Sequence, residues 1–276
     1  MRRVRRGRRR PAALPAWELE PEGWAAAPST PGWDVDGVAA AALARLPDFR
    51  AVLAGPAPLG AMTEAALPVM ANPGVAQQEA LVFGDALLRA SRNRTELSVL
   101  DWGGGLGFSG LLARAILPVD LALEYHCREH TKLVAAGAGA VPEVRFWGTD
   151  GCFERSYDLV VASSSLQYAE DWPSVVARFA DSATGFVLLT RVPVVEHHPA
   201  FVVRQRVPEY GTEYLGWVFN RRELLAATAA VGLRLEREFV LGYRPEIVGA
   251  PEQDETRAYL FDASAGTRTS GTGSPG

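Results

Sequence analysis

Lysine is almost missing from this chain: Lys132 is its single example among 276 residues, and arginine carries nearly all of the positive charge. That bias reflects a GC-rich coding sequence rather than a function. Cysteine is nearly as scarce, with only Cys127 and Cys152. Two cysteines build no disulfide framework, which points to a reducing, cytoplasmic setting. No apolar run reaches the ~20 residues that a membrane span needs. The arginines near the start have no apolar stretch behind them, so this segment reads as neither export signal nor anchor. In that setting the glycosylation letters Asn93-Arg94-Thr95 carry no weight, and no internal repeat is visible.

What is present is material for one large core. With 48% hydrophobic residues over 276 positions, no second domain is required. The formal charge is −4, but residues 1–10 hold seven arginines, and without them the remainder stands at −11. Such an acidic body does not suit a nucleic-acid partner. The arm, residues 1–16, matches RNA or anionic lipid by charge, yet its composition builds no core and reads as a disordered extension. The Gly/Ser/Thr-rich end, 263–276, reads the same way. Between them we expect an N-terminal helical cap over 17–95 and an α/β domain over 96–262.

Residues 99–107 read Val-Leu-Asp-Trp-Gly-Gly-Gly-Leu-Gly. A short apolar strand from Leu97 to Leu100 ends in a carboxylate, Asp101. It turns on Gly103, Gly104, Gly105 and Gly107 toward a helix-compatible stretch at Leu111 to Ile116. Such a unit brings bare backbone N–H groups and a helix N-terminus against a ligand. Gly105, Gly107 and Gly110 also satisfy the G-x-G-x-x-G of dinucleotide enzymes, so NAD(P) chemistry stays open on this loop. Asp101 tips the balance. A carboxylate beside the loop would repel a pyrophosphate and attract the α-ammonium of a methionine moiety, which turns D-x-G-x-G-x-G toward S-adenosylmethionine.

Two further acids follow. Val119 to Leu123 reads as a second strand closed by Glu124, placed to accept hydrogen bonds from ribose hydroxyls. A third strand, Val144 to Thr149, ends in Asp150, placed to accept from an adenine amino group. The fourth, Tyr157 to Ala162, runs into Ser163-Ser164-Ser165-Leu166-Gln167-Tyr168, and Ser163 joins the cofactor-binding set. Three acids at strand ends suit a ligand lying across the carboxyl edge of a parallel sheet, although each alone would equally cap a turn.

The stretches LDWGGGLG (100–107), SSSLQYAEDW (163–172), TRVPVV (190–195) and RQRVPEYGTEYLGW (204–217), with the flanking WELEPEGW (17–24) and GAPEQDETRAYLF (249–261), resemble a family of bacterial class I S-adenosylmethionine-dependent methyltransferases. Its members are often associated with surface-polysaccharide gene clusters. The resemblance covers about residues 17–262. It implies a doubly wound, Rossmann-like, seven-stranded methyltransferase sheet whose final strand runs antiparallel. It also implies S-adenosylmethionine as cofactor and methyl transfer as the reaction. No acceptor-defining motif such as N-P-P-Y is present; a small molecule or saccharide is the expected acceptor. An NAD(P)-dependent oxidoreductase on the same loop, or a subunit that binds S-adenosylmethionine without turnover, are the alternatives.

The rest of the chain alternates strand and helix as a doubly wound fold requires. Val38 to Leu53 and Val75 to Ala90 have helical spacing and are expected to cover the carboxyl edge of the sheet. Asp171 and Pro173 announce a helix, Gly185 to Arg191 forms a fifth strand, and Asn220 with Glu223 caps a helix that Gly232 ends. Leu233 to Val240 and Thr256 to Phe261 supply the last strands. Residues 192–219 read as a long aromatic loop, and loops of that length are usually functional. We assign to acceptor binding Gln167, Tyr168, Arg191, Arg204, Gln205, Tyr214 and Trp217, with Arg191 or Arg204 facing an acidic group. A hydroxyl acceptor benefits from a general base, for which His197, His198 and Glu196 are the candidates, though two histidines in a polar loop suit a plain surface as well. His126-Cys127-Arg128-Glu129-His130 spells a zinc-protease pattern. It begins two residues past Glu124, in an expected turn, so we assign no metal and read it as a helix start beside the nucleoside.

Overall fold

Side chains alternate across the central strands, and that alternation separates two helical layers. The computed structural model describes residues 16–26, 30, 32–56, 59 and 73–264; the arginine-rich arm and the tail beyond Ser264 lie outside them. Val99, Leu159, Val161 and Leu188 face one apolar layer, while Leu100, Val160, Val187 and Leu189 face the other. The strands carrying them are β2 (Glu96–Trp102), β5 (Tyr157–Ser163) and β6 (Ala183–Val195). Strands buried on both faces read as continuous apolar runs, as Leu159 to Ala162 does.

The first layer contains α1 (Asp36–Ala54), α2 (Pro73–Ala90), α3 (Phe108–Ile116) and α4 (Thr131–Ala140). On the opposite face lie α5 (Trp172–Ser182) and α6 (Arg221–Ala230). Both of the latter start at a side-chain cap: Asp171 accepts the Ser174 N–H and Asn220 accepts the Glu223 N–H. Among the described residues no helix is long and apolar enough to cross a membrane.

With β3 (Ala122–Arg128), β4 (Arg145–Trp147), β9 (Arg234–Leu241) and β10 (Glu255–Asp262), the main sheet runs β4-β3-β2-β5-β6-β10-β9. The pairs from β4 through β6 are parallel, and β10 lies antiparallel between β6 and β9. This is the mixed α/β sheet with an antiparallel final strand that the resemblance implies.

Four expectations need correction. The second parallel strand does not end at Glu124. Val119 is fully exposed in a turn, and β3 pairs with β2 residue by residue from Ala122 to Arg128. Polar letters hid the second half of this strand, yet His126 is buried there because Glu124 and Trp147 satisfy both of its ring nitrogens. The third strand likewise stops at Trp147, and Asp150 opens a short 3₁₀ turn, Asp150–Glu154.

Residues 192–219 are not a loop. β6 outlasts β5 and continues to Val195; β7 (Phe201–Val207) and β8 (Thr212–Asn220) form an antiparallel pair that β1 (Trp17–Leu19) extends. β8 takes up the edge of β6 that β5 has vacated, pairing Val194 with Phe219. The aromatic content of this stretch thus serves strand packing. The helices of the N-terminal part also divide differently. α1 packs on α3 and α4, whereas α2 lies along the sheet against β5, β6 and β9 rather than over its carboxyl edge.

Candidate functional site

A cavity of about 260 Å³ opens at the carboxyl ends of β2, β3 and β5, where open α/β sheets bind ligands. The turn after β2 supplies Gly103, Gly104 and Gly105, the exit of β3 supplies Arg128, Glu129 and His130, and the exit of β5 supplies Ser163, Ser164 and Ser165. The first turn of α3 borders the cavity through Phe108 and Ser109, and Val38 and Ala42 of α1 close one side.

The loop needs its glycines for two separate reasons. A Cβ on Gly104 would lie 2.4 Å from Asp101 Oδ2 and 2.9 Å from Cys127 Sγ, so the backbone rests directly on buried side chains. Gly105 has φ +60° and nothing within 4 Å of a Cβ position; its backbone faces open space in a conformation that favours glycine.

Asp101 does not face the cavity, contrary to the expectation that its carboxylate meets the ligand. It is fully buried beneath the loop, where the Tyr125 hydroxyl donates to Oδ2 at 2.9 Å. Burial pushes its carboxyl up to about 6, against the opposing hydrogen bond from Tyr125. The carboxylate at the loop is instead Glu129. Its Oε2 accepts the Gly105 N–H at 3.1 Å and its Oε1 accepts the His130 N–H at 2.8 Å. Burial raises its pKa above the ordinary carboxylate range, opposed by those backbone donors.

Glu124 lies earlier on β3 and away from the cavity. Its side chain is about half exposed and holds His126 at 2.8 Å and Arg155 at 2.9 Å; the His126 contact lowers its pKa. The zinc-like letters therefore fall on a strand and its exit, with His126 turned into the sheet and His130 starting α4. Asp150 is likewise outside the lining. Arg178 at 2.5 Å and Arg128 at 3.1 Å hold it, and those guanidiniums keep its pKa low against the effect of burial. Gly107 caps α3 and faces Val144 and Phe146.

Of the residues assigned to an acceptor, Tyr168 and Arg191 line the cavity. Tyr168 donates its hydroxyl to Gln205 Oε1 at 2.7 Å, so Gln205 positions the ring from behind. Tyr214 stacks on Trp33 at 4.0 Å, and Trp33 in turn meets the Tyr168 ring edge-on at 5.2 Å. Gln167 is buried and donates to Ser164 Oγ at 3.0 Å. Arg204 is corrected: Glu20, Glu213 and the Ala26 carbonyl take its guanidinium on the outer strands. Trp217 packs against Trp24 and donates to the Glu170 carbonyl. Glu196, His197 and His198 are corrected as well. They form the turn after β6, whose backbone N–H groups the Glu252 carboxylate gathers at 2.7–3.0 Å, and none of them lines the cavity.

Tyr210, in the aromatic stretch read as acceptor pocket, also lines the cavity; sequence inspection missed Trp33, and it placed Arg128, Glu129 and His130 beside the nucleoside without giving them a ligand role. Glu129 had a usable signal. A seven-residue first strand paired in parallel demands a second strand of equal length, which moves its exit from Glu124 to Glu129.

No protein-family model matches the sequence, and no curated protein matches it. Solved structures resemble it more distantly. One is 1,6-didemethyltoxoflavin-N1-methyltransferase of Burkholderia thailandensis, with 13% identity, 81% of this chain and 88% of that one covered, and a TM-score of 0.48. A second is an S-adenosylmethionine-dependent methyltransferase from Clostridium acetobutylicum, with 10% identity, coverage of 66% and 91%, and a TM-score of 0.45. A third is the sugar N-methyltransferase KedS8 from a Streptoalloteichus species, with 17% identity, coverage of 67% and 86%, and a TM-score of 0.44. At such distances the chemistry of this chain has to come from its own cavity.

Proposed function

We propose that this chain is an S-adenosylmethionine-dependent methyltransferase acting on a small-molecule or saccharide acceptor. The observation that carries this is one cavity shared by the glycine loop, a carboxylate at the exit of the second parallel strand, and aromatic rings. Glu129 takes the role that the sequence assigned to Glu124, accepting from ribose hydroxyls, and the open space at Gly105 admits a nucleoside against bare backbone. Strand order supports this donor over NAD(P). Dinucleotide folds follow the order 3-2-1-4-5-6, whereas here an antiparallel β10 stands between β6 and β9.

S-adenosylmethionine supplies a methyl group already activated on a sulfonium. The work left to the chain is alignment and exclusion of water. Val38, Ala42 and Leu133 provide apolar walls, and the rings of Trp33, Tyr168 and Tyr210 offer flat faces for an acceptor ring. Within the N-terminal part, 17–95, we read α1 and Trp33 before it as the cap over this wall, in a cytoplasmic protein. The association of the resembling family with surface-polysaccharide gene clusters favours a saccharide among these acceptors.

Calorimetric titration with S-adenosylhomocysteine and with NADH tests the donor. Binding of the first alone is expected; binding of NADH alone would sink the proposal. Release of S-adenosylhomocysteine on incubation with sugar, hydroxyl and amine acceptors separates a working enzyme from a binding subunit.

A further inference from the structure

We infer that Arg191 holds the α-carboxylate of the donor's amino-acid end, an assignment that rests on the methyltransferase proposal. Arg191 lines the cavity with only 7% of its side chain exposed, and Glu79 of α2 stands 3.9 Å from it. A contiguous run of contacts links it to the glycine loop. The Ser164 N–H donates to the Thr190 carbonyl at 2.9 Å, next to Arg191 in sequence. Ser165 Oγ donates to the Trp102 carbonyl at 2.7 Å, and a Cβ on Gly103 would lie 2.4 Å from Ser165 Cβ.

The backbone adds an independent mark. Ser164 and Arg191 have φ of +52° and +55°, an uncommon conformation for side-chain-bearing residues. Both line the cavity, and strain of this kind gathers at ligand clamps.

The sheet sets the direction in which a donor extends. β3 and β6 are separated by β2 and β5, three strand spacings or roughly 14 Å. Arg128 stands at the β3 exit, bound to Asp150 at 3.1 Å and placed over the Trp102 ring. A nucleoside whose ribose meets Glu129 therefore reaches toward β5 and β6 with its amino-acid arm. There a planar guanidinium offers the paired donors that a carboxylate takes best.

The test uses the full chain and three ligands: S-adenosylhomocysteine, its decarboxylated amine counterpart and 5′-methylthioadenosine. Wild type is expected to bind S-adenosylhomocysteine about 10- to 100-fold more tightly than the amine. Arg191→Gln is expected to erase that gap while leaving the 5′-methylthioadenosine affinity within about twofold, and Arg191→Lys to keep part of it. A gap that survives in Arg191→Gln would overturn the inference and hand the cation to an acidic acceptor. Equal weakening of all three ligands would overturn it as well, making Arg191 a structural residue. Wild type with no affinity for any of the three would instead remove the donor proposal itself.

Discussion

Gly104 lies directly on Asp101: a Cβ there would come within 2.4 Å of Oδ2 and 2.5 Å of Cγ. The carboxylate has no room to retreat, because it is fully buried and bound to Tyr125. Gly104→Ala is therefore expected to destabilise the fold by about 1–3 kcal/mol, measured by chemical denaturation. Gly105→Ala meets nothing within 4 Å and costs the fold only about 1 kcal/mol for its positive φ. Its methyl group enters the cavity, so its larger effect is expected on S-adenosylhomocysteine affinity. If the two variants behaved alike, the loop would not sit as described.

Asp101 also makes stability depend on pH. Its folded pKa of about 6 lies above the ordinary 3.8. The stability gained by holding the acid neutral is complete below the ordinary value and is lost as pH rises through about 6. Asp101→Asn keeps a side-chain oxygen for Tyr125 and carries no charge. Between pH 4 and 7 the variant is expected to gain about 2 kcal/mol on the wild type. Parallel denaturation curves at both pH values would contradict the burial of this carboxylate.

Glu129 and Glu124 offer a paired comparison. Glu129→Ala and Glu129→Gln are expected to weaken S-adenosylhomocysteine about tenfold or more, because hydrogen bonds to a charged group go unmade. Glu124→Ala is expected to leave that affinity unchanged and to cost about 1–3 kcal/mol of stability, since it leaves Nε2 of the buried His126 without its partner. The opposite order would restore the shorter second strand.

Arg204 separates structure from recognition. Its guanidinium is 12% exposed and binds Glu20 at 2.8 Å and Glu213 at 2.7 Å. Arg204→Ala removes a charge partner from the partly buried Glu20 and from Glu213, which keeps Arg206 at 3.8 Å, and is expected to cost about 1–3 kcal/mol. Affinity for S-adenosylhomocysteine in the folded fraction is expected to stay within about twofold. A stable variant that lost turnover would return Arg204 to the acceptor pocket.

Local chemistry explains what could be read in advance. The Asp171 and Asn220 caps and the buried run from Leu159 to Ala162 act over a few residues, so their letters suffice. The second strand was misplaced because His126 and Arg128 look like turn residues until distant partners satisfy them: Trp147 donates to His126, and Asp150 accepts from Arg128. For the same reason Arg204 of β7 resembled a ligand contact, although Glu20 and Glu213 bind it as strands β1 and β8 close alongside.

The order of residues alone decided that a strand turns on glycines into α3 and that an α/β sheet follows, because backbone conformation and apolar period are local properties. Only the folded chain decided which charges reach the cavity. Glu129 replaces Glu124, Asp101 lies beneath the loop, and Arg191 is set in the cavity wall beside Glu79 of α2. Burial and pairing depend on neighbours dozens of residues away, and a charge is either consumed by such a neighbour or left facing a ligand.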